Sequence, residues 1–429
     1  MTYLERNSNE EIVLDDEILK PIGRDERVFK GIDLFLLWAG GNTCLATIFT
    51  GGILGPRLGV FYSLVIIIIA STIGGFLLGL VALLGEKKGL PTMVLTREVV
   101  TVKGSYLASI LNTIQLIGWT SILLYASAEA IAEALKALFG EGLISNILLW
   151  VIIIGFLETA YTILGPRKWV FYQRVAVTTL LIVLSYEAYE LLKYMLQRNI
   201  VEEISPTFTD FLWGFDMVLA TAISWAPLVA DYSRFASSSS GAVMGTWWGY
   251  TLTSYILYYI GALAAIITGA YLGDPTRVAI SLGLSVAVFI FIAISAVTTN
   301  LLNIYSAVIS TKNIFPKANY KALTIFYGIL STVLSMFPVF FMYFEGFLYY
   351  IGSVFVPLIA VLLSQNTCWF LSKKLPRKKE TMGLISWIIG IAIGALASTY
   401  MKFGATIIAF TVSFIINYVL LTSLRKLVE

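Results

Sequence analysis

Two stretches of this chain, residues 60–84 and 281–310, contain no acidic or basic side chain. About 20 apolar residues suffice to cross the hydrocarbon core of a bilayer as a helix. Inside hydrocarbon every backbone N–H and C=O must be satisfied within the protein, which leaves only helices and closed barrels. Barrel strands alternate apolar and polar residues over about ten positions. These runs are longer and continuously apolar, so they read as helices. The whole chain agrees, with 58% hydrophobic and only 13% charged residues, against roughly a quarter charged in a soluble domain.

The apolar pattern predicts an all-α integral membrane protein with twelve spans. They fall at approximately 31–55, 59–84, 105–139, 143–165, 168–196, 213–234, 241–271, 278–311, 319–342, 345–371, 382–401 and 403–424. Pro338 and Glu345 interrupt the aromatic stretch between the ninth and tenth. Residues 1–30 are polar and read as a short cytoplasmic tail, not as a cleavable signal peptide. With that tail inside and the spans alternating, 23 of the 29 Lys and Arg fall on the cytoplasmic side. The other six are Arg57, Lys136, Lys193, Arg198, Arg277 and Lys402. This asymmetry follows the positive-inside rule and favours an even number of spans, with both termini cytoplasmic in the cell membrane.

Composition also narrows the chemistry. The chain has no histidine, which removes His-based acid–base catalysis and His metal ligands. Its two cysteines, Cys44 and Cys368, both lie in predicted spans and make no case for a disulfide framework or a metal site. No catalytic dyad is visible, and no filter-like repeated loop or charged ring suggests a channel. A secondary transporter is expected rather than an enzyme, with lipid around it, no nucleic-acid partner and no cofactor besides a coupling ion. Nothing in the sequence specifies an oligomeric state.

The first and sixth spans are irregular. The first carries Gly40-Gly41-Asn42-Thr43 and then Gly51-Gly52; the sixth carries Ser224-Trp225-Ala226-Pro227 in its middle. Glycine and proline kink many membrane helices harmlessly. In matching positions of two halves, however, such interruptions point to an inverted-repeat transporter with its binding site at the breaks.

Polar residues in three other spans are candidates for that site. Span eight holds Ser295, Thr298, Thr299, Asn300 and Asn303. Ser295, Thr299 and Asn303 recur every fourth residue and share a helical face. Hydroxyls meeting freed carbonyls can hold a hard cation such as Na⁺, although Ser and Thr also bond back to their own helix. In span three Gln115 and Trp119 share a face, and an indole beside an amide suits a planar heterocycle. Glu158 lies within span four, either as a proton-relay residue or as a hydrogen-bonded structural acid.

Four groups of residues together resemble the nucleobase:cation symporter-1 family, in particular its cytosine permease branch. They are Thr50-Gly51-Gly52; Lys88-Gly89-Leu90 with Leu95-Thr96-Arg97 and Lys103-Gly104-Ser105; Gly118-Trp119; and Ala230-Asp231-Tyr232-Ser233-Arg234-Phe235 with Thr298-Thr299-Asn300 downstream. The resemblance implies a LeuT-like five-plus-five inverted repeat with broken helices one and six. It divides the chain into the tail, a ten-helix core over 31–371, and a last helix pair with the C-terminal tail over 372–429. It implies import of a nucleobase or related planar heterocycle (cytosine, purine, uracil, allantoin or thiamine class), coupled to Na⁺ or H⁺. Gly40, Thr43, Ser295, Thr298 and Thr299 would hold the cation. Cys44, Leu45, Gln115, Trp119, Thr221, Ala222, Ser224 and Asn300 would line the substrate site, with Trp119 stacking on the base. Asp231 and Arg234 would be structural or gating residues. Many relatives carry an aromatic residue where this chain has Ala222, and Trp225 could replace it only if the backbone turned it inward. A same-fold transporter for amino acids or amines is the alternative reading, and a membrane-embedded enzyme the remote one.

Overall fold

The computed structural model describes residues 19–197, 204–269, 287–337, 344–370, 379–401 and 404–423. The first eighteen residues of the tail, the start of the eighth span, Pro338 and the basic run 373–378 lie outside the described residues, as do the side chains of Glu345 and Cys368.

The described chain is built from helices. They are α1 (Gly31–Asn42), α2 (Leu45–Lys88), α3 (Thr92–Leu95), α4 (Arg97–Phe139), α5 (Ile147–Ile163), α6 (Pro166–Gln197), α7 (Phe208–Ser224), α8 (Ala226–Ser233), α9 (Ser239–Thr268), α10 (Ala287–Ile314), α11 (Tyr320–Ser335), α12 (Phe344–Phe370), α13 (Lys379–Tyr400) and α14 (Ala405–Ser423). Among the described residues eight helical segments are long and apolar enough to cross a membrane, counting α7 and α8 as one. The chain is therefore a multi-pass membrane protein.

Two helices run longer than one crossing. At 1.5 Å per residue, the 44 residues of α2 would extend about 66 Å, twice the hydrocarbon thickness. α2 turns at Gly59, where φ is 70° and ψ 175°. That conformation is open to glycine and strained for any other residue. The turn lies where the spacing predicts a gap between the first two spans. α4 likewise bends at Val100–Thr101, and the Thr101 hydroxyl accepts from Gly104 N at 3.1 Å to cap the longer half. The helix thus begins at Arg97, eight residues before the predicted start of span three, and only its later part continues as the expected span.

α9 seats against α1 and α2 through glycine. A Cβ on Gly51 would lie 2.0 Å from the Tyr258 carbonyl oxygen, and one on Gly261 would lie 1.9 Å from that of Ile48. Small residues that let backbones approach are how membrane helices gain contact where burial from water gives no drive. This accounts for glycine in the Thr50-Gly51-Gly52 segment: its work is helix contact. The Asn42 side chain crosses the same interface, donating to the Tyr250 carbonyl at 3.2 Å, Thr253 Oγ1 at 3.0 Å and Ser254 Oγ at 2.9 Å.

Burial sorts the helices into centre and rim. The most apolar window of α7–α8 is 89% buried, whereas those of α13 and α14 are 39% and 33% buried. One end of the centre is tied together. Phe29 and Ser237 exchange backbone hydrogen bonds with Phe235 and Phe29 at 2.9 and 2.8 Å, joining the start of α1 to the end of α8.

Candidate functional site

The helical path fails in two places, and the site lies between them. Between α1 and α2, Thr43 takes φ −77°, ψ 81° and Cys44 is extended at φ −145°, ψ 160°. This frees carbonyls at the end of α1, where the helix dipole is negative. The Gly41 carbonyl accepts from Thr299 Oγ1 of α10 at 3.1 Å, and the Gly40 carbonyl lies 3.5 Å from the same hydroxyl. The Asn42 carbonyl accepts from Cys44 N and Thr47 Oγ1, both at 2.9 Å. The result is a cluster of buried oxygens contributed by two helices.

Trp225 separates α7 from α8. Its dihedrals stay helical at φ −81°, ψ −22°, but the hydrogen-bond ladder is interrupted. Pro227 has no N–H to offer the Ile223 carbonyl, and Leu228 N turns back to the Trp225 carbonyl at 3.1 Å. The Ser224 carbonyl left over receives Gln115 Nε2 of α4 at 3.4 Å. Gln115 also donates to Asn112 Oδ1 at 2.7 Å, and Asn112 donates to Ser310 Oγ at 2.8 Å.

A cavity opens between these two places. It is lined by Cys44, Ala46, Thr47, Trp119, Leu123, Thr221, Ser224, Trp225, Leu228 and Asn303. Two indoles, Trp119 and Trp225, supply large flat surfaces; hydroxyls and one amide supply hydrogen-bonding edges. No acidic or basic side chain is among the lining residues. The space holds about one water molecule, so a ring-sized ligand requires the walls to part. Trp119 rests edge-on against Phe347 with ring centroids 5.3 Å apart, and Trp225 against Trp38 at 5.9 Å.

Of the expected substrate residues, Cys44, Trp119, Thr221 and Ser224 line this cavity, and so does Trp225. Leu45 is buried but absent from the lining. Gln115 braces the α7–α8 interruption. Ala222 faces the other way: a Cβ on Gly74 of α2 would lie 2.4 Å from its methyl, so an aromatic ring at 222 would meet that helix. Asn300 is a layer back, donating to the Thr120 carbonyl at 3.2 Å and to Glu158 Oε2 at 2.8 Å. Thr47 is a polar lining residue that the sequence analysis does not name, and Asn303, named there only as part of the polar face of α10, joins the cavity lining. Asn303 carries a signal, standing one turn beyond Thr299 on the same face; Thr47 carries none, because only the break at Cys44 turns it inward.

Of the expected cation residues, Gly40 and Thr299 meet directly. Thr298 bonds back to the Ser295 carbonyl at 2.9 Å and Thr43 to the Ala39 carbonyl at 2.7 Å, so both hydroxyls are engaged within their own helices. Ser295 is buried on the same stretch of α10. Asp231 and Arg234 lie away from the cavity. Asp231 Oδ1 accepts from Thr92 N and Thr92 Oγ1 from Ala230 N, both at 2.9 Å, which locks α3 to α8. Arg234 is buried and donates to the Tyr305 hydroxyl at 3.1 Å.

Comparison with known proteins accords with this geometry. Residues 21–368 match the family described as permease for cytosine/purines, uracil, thiamine, allantoin. Cytosine permease of Escherichia coli strain K12 is 24% identical over 361 residues, 83% of this chain and 82% of the relative. Among solved structures, Mhp1, a nucleobase-cation-symport-1 family transporter in a closed conformation with bromovinylhydantoin bound, superposes with a TM-score of 0.75. It is 17% identical and covers 94% of each chain. A Na⁺-coupled sialic acid symporter, outward-open with substrate bound, has a TM-score of 0.68 at 13% identity, over 95% of this chain and 92% of that one. The chain belongs to the cytosine/purine, uracil, thiamine and allantoin permease family, within the nucleobase:cation symporter-1 group, and it is a transporter rather than an enzyme.

Proposed function

We propose that this permease imports a neutral planar heterocycle of the nucleobase class by cation-coupled alternating access. The observation that carries the reading is one cavity lined by both Trp119 and Trp225 together with Asn303, Ser224 and Thr47. Base–aromatic stacking contributes roughly 1–3 kcal/mol per ring. Polar edges then select the heterocycle by its donors and acceptors. A lining without ionic groups suits a neutral ring better than an amino acid or an amine, whose charge would ask for a counter-charge.

The oxygens of Gly40, Gly41 and Thr299 support a coupling-cation site a short distance along the same helices. The donor set is all oxygen, as a hard cation prefers. A cation bound there would tie α10 to the end of α1, and so stiffen the break that forms one wall of the cavity. Coupling is then reciprocal, since what strengthens cation binding also strengthens base binding. Na⁺ fits the all-oxygen set; Ser295, Thr298 and Thr43 would join it only by turning from their present partners.

In the same reading, α1 with the first part of α2, and α7 with α8, are the two broken helices of a LeuT-like five-plus-five repeat. The repeat occupies residues 31–371 of a twelve-span chain, and α13 and α14 flank it, in keeping with their shallow burial. The excess of basic residues in alternate loops supports a cell-membrane protein with both termini in the cytoplasm.

The direct test is binding of radiolabelled cytosine, uracil, adenine and allantoin to purified protein, with and without Na⁺. One of the four is expected to bind, and more tightly in Na⁺. Binding of none would leave the transporter and overturn the substrate class.

A further inference from the structure

Glu158, on α5, has a fully buried side chain. Its Oε2 accepts from Asn300 Nδ2 at 2.8 Å, and its Oε1 has no hydrogen-bond partner. Among the described residues no lysine or arginine pairs with it. The helices packed against α5 are α4, α10 and α11, and their titratable groups are engaged elsewhere or point outward. On α4, Tyr125 donates to Glu129 at 3.1 Å, Glu98 pairs with Lys88, Lys136 with Glu141, and Arg97 donates to the Asn313 carbonyl. On α10, Lys312 donates to the Ala318 carbonyl and Tyr305 accepts from Arg234. On α11, Tyr320 donates to the Thr162 carbonyl and Tyr327 shares a hydrogen bond with Thr311. Lys103, Glu133 and Lys321 are exposed, Tyr106 is half-buried, and Tyr161 of α5 itself lies one turn from Glu158.

A carboxylate in this place would be a buried charge without a counter-charge, which costs several kcal/mol. The neutral acid avoids that cost. The orientation of the Asn300 amide is set by its second hydrogen bond, Nδ2 to the Thr120 carbonyl at 3.2 Å. Its nitrogen therefore faces Glu158, so the acid accepts through Oε2 and carries its proton on Oε1. The far side of Asn300 leads to the cavity: its Oδ1 accepts from Asn303 Nδ2 at 3.4 Å, and Asn303 is in the cavity wall. Asn300 also directly follows Thr299 in the chain. One turn of α10 thus touches the α1 carbonyls, the acid and the cavity.

We propose that Glu158 is a proton-binding site of the transport cycle, protonated while the cavity is closed and releasing its proton when the cavity opens to water. The proton passes to the entering water and is taken back from water on closing. The inference deepens the transport reading and rests on this cavity being the part that opens. It does not depend on which heterocycle is carried.

Cys44 lines the cavity and reports its opening. The test is the rate at which N-ethylmaleimide alkylates Cys44 across neutral pH, with full-length protein in liposomes, no base added, and Cys368→Ser as background. Opening that releases one proton becomes about tenfold more favourable per unit rise in pH. Labelling should therefore steepen by that factor beyond the thiol's own pH dependence. Glu158→Gln, which is neutral at every pH, should show the thiol's dependence alone, and Glu158→Asp should restore the steeper one. Equal slopes in the parent and Glu158→Gln overturn the proposal. Should Glu158→Gln not fold, a parent slope equal to that of a free thiol in solution overturns it as well. Failure of every base to bind would sink the substrate reading without touching this measurement.

Discussion

The two interruptions flanking the cavity differ in kind. Between α1 and α2 the backbone itself leaves the helix at Thr43 and Cys44. At Trp225 the backbone dihedrals stay helical and only the hydrogen-bond ladder is lost, at a proline. The first therefore exposes carbonyl oxygens, which Thr299 meets from α10. The second places a side chain, the Trp225 indole, in the lining of the cavity that Trp119 also lines. One break presents main chain, as a cation asks; the other presents an aromatic face, as a planar ring asks. The difference gives each its own most sensitive substitution.

At the first break the sharpest contrast is between neighbours. Thr299→Ala removes a hydroxyl that reaches across to the α1 carbonyls, whereas Thr298→Ala removes one already bonded to Ser295 of its own helix. A lost buried hydrogen-bonding partner costs about 1–3 kcal/mol, which corresponds to roughly 5- to 150-fold in affinity. Thr299→Ala should weaken Na⁺-dependent base binding within that range, and Thr298→Ala should change it by no more than about twofold, within surface-like effects. Isothermal titration with and without Na⁺ measures both. Equal losses in the two variants would mean that Thr298 turns toward the cation and that the cluster is assembled otherwise.

At the second break the side chain carries the effect. Trp225→Ala should cost base affinity roughly 1–3 kcal/mol and leave the Na⁺ dependence of what binding remains unchanged. Trp119→Ala should do the same. A variant that lost Na⁺ dependence along with affinity would join the two breaks into one site and remove the distinction between them. Ala222→Phe provides the complementary measurement. Because Ala222 faces Gly74, the larger residue should lower thermal stability by about 1–3 kcal/mol through overpacking rather than restore a stacking surface.

How much of this was legible in the sequence follows from what each feature depends on. Membrane helices were legible because hydropathy depends on local composition, and the gap near Gly59 was visible as a loss of apolar continuity. The α4 start was not, because Arg97 to Val100 form a helix held by neighbours such as the Asn313 carbonyl, not by an apolar pattern. The two interruptions were marked by Gly40-Gly41 and Pro227, since those residues alter backbone chemistry wherever they stand. Which way a side chain points from an interruption depends on tertiary contacts. Gly74 against Ala222, and Gln115 on the Ser224 carbonyl, come from helices far away in sequence. That is why Ala222 was expected in the site while Thr47 was passed over.

The smallest expected effect tests whether the second gap matters in itself. Pro227→Ala supplies the missing N–H to the Ile223 carbonyl and closes the ladder. A net hydrogen bond contributes about 0.5–1.5 kcal/mol, and the added freedom of the unfolded chain takes back about 0.4–1. Thermal stability should therefore move little. The Ser224 carbonyl would stay with Gln115, and Trp225 would stay against Trp38, since neither contact involves residue 227. Base affinity should consequently change by less than about fivefold, or 1 kcal/mol. A larger loss would show that the Ile223 carbonyl is itself a ligand for the heterocycle, making the second break a main-chain site like the first. No comparable single repair exists at Thr43 and Cys44, where the path is fixed by Asn42 reaching α9 and by Thr47 bonding back to the Asn42 carbonyl.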